Sequence, residues 1–238
     1  MIENIIFLIA SFIAAIVATL AGFGSSTLLI PVAVMFMDLK TAVLLVACFH
    51  LFNNSFKIKM FWNKIDFKTF LLFGIPSIIF AFIGARLISI IPIGIVKRIL
   101  AIFLIIFSIY SFIKPKFAIK ETKTTAIVGG GLSGFLAGLV GLGGAIRSTF
   151  LIVFNLPKEV YIATSAAIAF VIDLTRIPTY LFTGVTQDTS YYILLPFLVV
   201  SAYFGVKIGK VLLGKVSQSI FKRIVLIGLL LVGIKLFF

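Results

Sequence analysis

Polar positions are so sparse along this chain that helical periodicity says little, because a helix apolar all round has no clear polar face. Length and punctuation define the elements instead. About 20 apolar residues cross the hydrocarbon of a bilayer. Apolar runs occupy residues 5–21, 27–37, 41–61, 69–90, 94–113, 124–140, 145–155, 160–182, 190–210 and 219–237. Two of them, 27–37 and 145–155, are only 11 residues long. At ~1.5 Å per residue, a helix of that length reaches roughly half-way across. Each follows a glycine cluster directly, Ala21-Gly-Phe-Gly-Ser-Ser-Thr27 in one case and Val140-Gly-Leu-Gly-Gly-Ala-Ile-Arg147 in the other. Glycine in a helix interior costs about 1 kcal/mol against alanine, so these clusters predict broken helices followed by half-helices. Open backbone at membrane depth must be buried by protein or line a hydrated cavity.

The two broken stretches belong to a repeat. Small residues recur at Ala10, Ala14, Ala18 and Gly22, and again 119 positions later at Gly129, Ser133, Ala137 and Gly141. Such ladders let helix backbones approach closely in lipid. At the same shift Asn54-x-x-Lys57 aligns with Asp173-x-x-Arg176. Gly84-Ala-Arg86 aligns with Gly205-Val-Lys207, and Lys97-Arg98-Ile99 with Lys222-Arg223-Ile224. The chain therefore divides into a first membrane repeat, 1–113, a linker, 114–123, and a second membrane repeat, 124–238.

Composition sharpens the class. Of 238 residues 62% are hydrophobic, against 21 basic and 7 acidic side chains. A soluble domain would be about 25% charged. The net charge of +14 could suggest nucleic acid, but the basic residues cluster in short connections, where the positive-inside rule explains them. Segment 57–68 carries four lysines against one aspartate, 114–123 four against one glutamate, and 207–223 five basic residues and no acid. All three are predicted cytoplasmic. Segment 183–189, with Asp188 and no base, is predicted outside. If each broken stretch returns to its starting side, the two halves are inverted and both termini lie outside. Lys97 and Arg98 fit this less well, since they fall near the outer face. The start of the chain has an acid and no base before its first apolar run, which does not read as a signal peptide. The single cysteine, Cys48, reads as a small buried hydrophobe.

Candidate chemistry gathers at the breaks. A half-helix starting near Gly141, Gly143 and Gly144 offers free N–H groups and the positive end of its dipole, which suit an anion. Arg147 in its first turn adds a planar donor fork, and Ser148 adds a hydroxyl. The competing reading makes the glycines packing spacers and ties Arg147 to a carbonyl or to Asp173. In the first half Gly22, Gly24, Ser25 and Ser26 are placed alike, although Ser25, Ser26 and Thr27 can also cap their own half-helix. Asp173 and Arg176, one turn apart near mid-membrane, read either as a structural pair or as a coupling or gating carboxylate with its cation. Their first-half counterparts are Asn54 and Lys57, preceded by His50. That histidine reads as a hydrogen bond to a neighbouring helix or as a proton relay. There is no G-x-S-x-G, H-E-x-x-H, P-loop lysine or C-x-x-C motif, and no metal site or cofactor is expected.

Two halves each opening on a G-x-G-type break, Gly141-Leu-Gly-Gly144 and Gly22-Phe-Gly-Ser25, resemble the TauE/SafE, or sulfite exporter, family over nearly the whole chain. The resemblance implies a multi-pass inner-membrane protein that moves sulfite, organosulfonates or related small anions, usually outward. The family's pattern runs G-x-G-G-G with a proline shortly after. Here Gly22 to Pro31 keeps the proline with serines for the later glycines, and Gly141 to Thr149 has Ala145 in the next slot and no early proline.

The reading is thus an all-α integral membrane protein of two inverted repeats, each a broken-helix hairpin plus three transmembrane helices. It is expected to be a secondary transporter exporting a small anion across the cell's inner membrane, coupled to protons or to the membrane potential, as a monomer or homo-oligomer. A passive anion channel is the alternative, and an intramembrane enzyme the more distant one.

Overall fold

The computed structural model describes residues 2–22, 24–88, 90–113, 121–151, 154, 156–184 and 190–215, and beyond these positions 217, 220, 223, 227, 230, 231, 233, 234 and 237. Its described elements are helical. They are α1 (Ile2–Ala21), α2 (Ser26–Ala33), α3 (Leu39–Met60), α4 (Phe67–Leu87), α5 (Ile93–Ile113), α6 (Lys123–Val140), α7 (Gly143–Leu151), α8 (Lys158–Phe182) and α9 (Leu195–Leu213). Short 3₁₀ turns at Trp62–Lys64 and Ser190–Leu194 precede α4 and α9. Among the described residues, six helices, starting at residues 2, 39, 67, 123, 158 and 190, are long and apolar enough to cross a membrane.

Local chemistry sets the starts. Asp38 accepts the N–H groups of Lys40 and Thr41 at the head of α3. Asp66 accepts that of Lys68 before α4, and Thr122 that of Thr125 before α6. Each satisfies a donor that the first helical turn leaves free. The first half-helix, α2, has 8 residues and is shorter than its apolar run, and the described part of α7 has 9. The last run, 219–237, and linker residues 114–120 fall largely or wholly outside the described residues.

Packing follows the sequence repeat. α1 lies on α9 as α6 lies on α4, α3 on α9 as α8 on α4, while α3 meets α8 and α2 meets α7. Exchanging the halves leaves this list of partners unchanged. The closest approach uses a second small-residue face of α6. Cβ atoms added at Gly130, Gly134 and Gly138 would run into the backbone of Phe73, Ser77 and Ala81 on α4. Ser77 Oγ donates across this seam to the Gly130 carbonyl at 2.9 Å. The repeated ladder Gly129, Ser133 and Ala137 instead receives α7, at Phe150 and Gly143. Large apolar side chains such as Ile75, Ile79, Phe80, Phe197 and Phe204 point outward, as lipid-facing surfaces require. Polar and charged side chains concentrate inside, on α3 and α8.

Candidate functional site

Both broken helices end on left-handed glycines. Gly22 has φ 68° and Gly24 φ 91° after α1, and Gly141 has φ 73° after α6, a region that glycine enters without steric cost. A helix end leaves carbonyls unpaired and carries the negative end of the dipole. Each end here is met by a buried cation. The Ala18 carbonyl accepts from Gly22 N–H at 2.9 Å and from Lys57 Nζ at 3.3 Å. The equivalent Ala137 carbonyl accepts from Gly141 N–H at 2.9 Å, Arg176 Nη1 at 2.8 Å and the Tyr180 hydroxyl at 3.3 Å. Tyr180 also donates to the Gly138 carbonyl. The aligned Lys57 and Arg176 do the same job in the two halves.

They differ in compensation. Arg176 reaches Asp173 Oδ1 from both Nε and Nη2 at 2.8 Å, and the other carboxylate oxygen lies 2.7 Å from His50 Nδ1. All three side chains are buried, so the network satisfies the need of each buried charge for a partner. Asn54 Nδ2 is 3.1 Å from the same histidine nitrogen. Asn54 stands where the second half has Asp173, and Lys57 has no carboxylate within ion-pair distance among the described residues.

Arg147 has none either, and it is only 2% exposed. Its Nε donates to Ser165 Oγ at 3.0 Å, and Ser165 donates to the Gly22 carbonyl at 2.6 Å. The arginine of the second half-helix therefore reaches the break of the first half. A Cβ placed on Gly24 would lie 3.1 Å from Arg147 Nη2 and 2.8 Å from His50 Nε2. His50 Nε2 is buried without a hydrogen-bond partner, as are Ser25 Oγ and Thr27 Oγ1 at the start of α2. Ser25 makes no capping bond to α2. Unpaired donors and acceptors of this kind are rare in protein interiors. Surface grooves of about 620 Å³ beside Trp62, Phe67 and Phe70, and about 280 Å³ beside Arg86 and Phe182, include neither Arg147 nor His50. The site is closed.

A cationic polar centre inside lipid-facing helices restricts the class, and sequence comparison decides it. The sequence model of the sulfite exporter TauE/SafE family matches residues 7–236. The chain belongs to the TauE/SafE family. A "probable membrane transporter protein" of Methanocaldococcus jannaschii is 29% identical over 230 residues, covering 85% of each chain. This TauE/SafE protein is a multi-pass membrane transporter.

Its expected site residues divide into two groups. The geometry brings together Gly22, Gly24, Arg147, His50, Asn54, Asp173 and Arg176. Ser25 and Ser26 lie buried beside them at the start of α2. Gly141 and Gly143 have different neighbours. A Cβ on Gly141 would strike Ile30 and come within 3.1 Å of Arg176 Nη1, and one on Gly143 would strike the Ser133 carbonyl on α6. Ser133 also donates to the Gly143 carbonyl at 2.9 Å. Gly143 thus lets α7 press on α6. Gly144 is buried in the same turn, and half-buried Ser148 lies beside Tyr161. The competing reading that ties Arg147 to Asp173 finds no such ion pair among the described residues, because that carboxylate is occupied by Arg176 and His50. Lys57 and Ser165 escaped the sequence-based site. Lys57 had a signal in its alignment with Arg176, while Ser165 is one hydroxyl among many.

Proposed function

We propose that this transporter is a secondary exporter of a small anion, with sulfite or an organosulfonate as the substrate class, and that the anion binds between Arg147 and His50 at the first-half break. One observation carries the reading: Arg147 is a buried cation with no carboxylate partner among the described residues. Such a charge is costly in a membrane interior unless an anion answers it. Lys57, also buried without a carboxylate partner among the described residues, adds to the positive potential. Ser25 and the backbone around Gly24 offer further polar contacts, and Arg147 has the planar fork suited to oxyanions.

The purified protein should gain thermal stability in sulfite or sulfoacetate, following RT ln(1 + [L]/Kd), and not in neutral analogues of similar size. Equal melting temperatures across sulfite, sulfate, sulfoacetate, taurine and carboxylates would remove the anion reading. The proposal includes inverted halves and external termini, supported by the loop charges. Single cysteines in a Cys48→Ala background should then label from inside at Lys64 and Lys215 and from outside at Asp188. Inside labelling at position 188 would sink the inversion.

A further inference from the structure

Resting on that anion site, we propose that His50 takes up one proton with each bound anion, so that the transported unit is an anion plus H⁺ held on the histidine Nε2. The tautomer carries the argument. His50 Nδ1 lies 2.7 Å from Asp173 Oδ2, and an ionised carboxylate only accepts, so Nδ1 bears the hydrogen. The neutral ring then presents a lone pair at Nε2. That atom is buried and unpartnered, and it faces the break. Nε2 and Arg147 Nη2 both lie against Gly24, 2.8 and 3.1 Å from where its Cβ would sit, so the two nitrogens are less than about 6 Å apart. The oxygens of one small oxyanion can bridge nitrogens at that separation.

An oxyanion there would meet a lone pair if the ring stayed neutral, and a donor if Nε2 were protonated. Binding therefore favours His50 taking H⁺ from water, with no other bond made or broken. The charged and polar groups around the ring support this. Asp173 of α8 stabilises the imidazolium, Arg176 of α8 and Arg147 of α7 oppose it, and the incoming anion offsets that opposition. Asn54 of α3 lies 3.1 Å from Nδ1 and meets its hydrogen as an acceptor with the two ends of its amide exchanged, leaving Nε2 free, and Lys57 of α3 is directed to the Ala18 carbonyl. Asp173 is a poorer proton carrier, because both its oxygens already accept from Arg176 and His50. A purely positional histidine would need only the Nδ1 bond and would not leave Nε2 beside the arginine.

The test uses sulfate and methanesulfonate, whose own charges stay constant between about pH 5.5 and 8.5, where histidine titrates. For the wild type, affinity should rise as pH falls, by up to about tenfold per pH unit. Adding anion in weakly buffered solution should remove about one proton per site from the medium. His50→Gln supplies a permanent amide donor near Nε2, so it should bind with an affinity independent of pH. A flat wild-type profile, no proton uptake, or an unchanged slope in His50→Gln would overturn the proton role; the uptake measurement needs no variant to fold. If Arg147→Gln weakens binding about tenfold or more in those cases, the anion site itself stands. If neither probe binds the wild type, or Arg147→Gln binds as the wild type does, the site falls and the proton role with it.

Discussion

Replacing Arg147 by glutamine should weaken anion binding by about one to two orders of magnitude, as the loss of one charge-assisted hydrogen bond worth about 1.5–3 kcal/mol implies. The same variant should leave the anion-free protein as stable as the wild type or more so, since it removes a buried cation that has no carboxylate partner. That combination separates a ligand-binding arginine from a structural one. Asp173 loses nothing in Arg147→Gln, because Arg176 and His50 hold its two oxygens. Arg147→Lys keeps the charge without the planar fork and should fall between the two. Isothermal titration alongside thermal unfolding checks both halves of the expectation. A destabilised protein with unchanged anion affinity would make Arg147 a packing element.

Asp173→Asn should act in the opposite way. It leaves Arg176 buried without its carboxylate, and breaking a buried pair from one side costs about 3–5 kcal/mol. Arg176 would keep neutral partners, the Ala137 carbonyl and Tyr180, and no compensating charge. Adding Arg176→Gln should recover much of the loss, because an amide can still donate to that carbonyl while the unpaired charge is gone. The two substitutions share one network, so their effects should be far from additive. Additive losses in the double variant, measured by thermal unfolding, would mean that the pair does not act as a unit.

Much of the architecture is legible in the sequence because it is local. A glycine cluster breaks a helix wherever the helix goes, so the half-helices were expected beside Gly22 and Gly141. The match between Lys57 and Arg176 was visible as a spacing, and the structure turns it into shared chemistry at the Ala18 and Ala137 carbonyls. What escaped depends on contacts between distant elements. His50 and Asp173 are 123 residues apart, and no local pattern pairs them. Arg147 was assigned to its own half-helix, yet it reaches Ser165 and the Gly22 break. Glycine itself is ambiguous in a membrane, since it opens backbone and also lets helices touch. Gly143 serves the second purpose against Ser133, whereas an added side chain at Gly24 would run into His50 and Arg147.

Uphill flux is the most direct test of an anion transporter centred on Arg147. Proteoliposomes containing the wild type should accumulate radiolabelled sulfite above its equilibrium distribution when a proton gradient is imposed, and should lose that accumulation when the gradient is collapsed. Vesicles with Arg147→Gln should show neither. Sulfite that only equilibrates down its own gradient would make the protein a passive channel. Accumulation undiminished in Arg147→Gln would contradict the site at the first-half break.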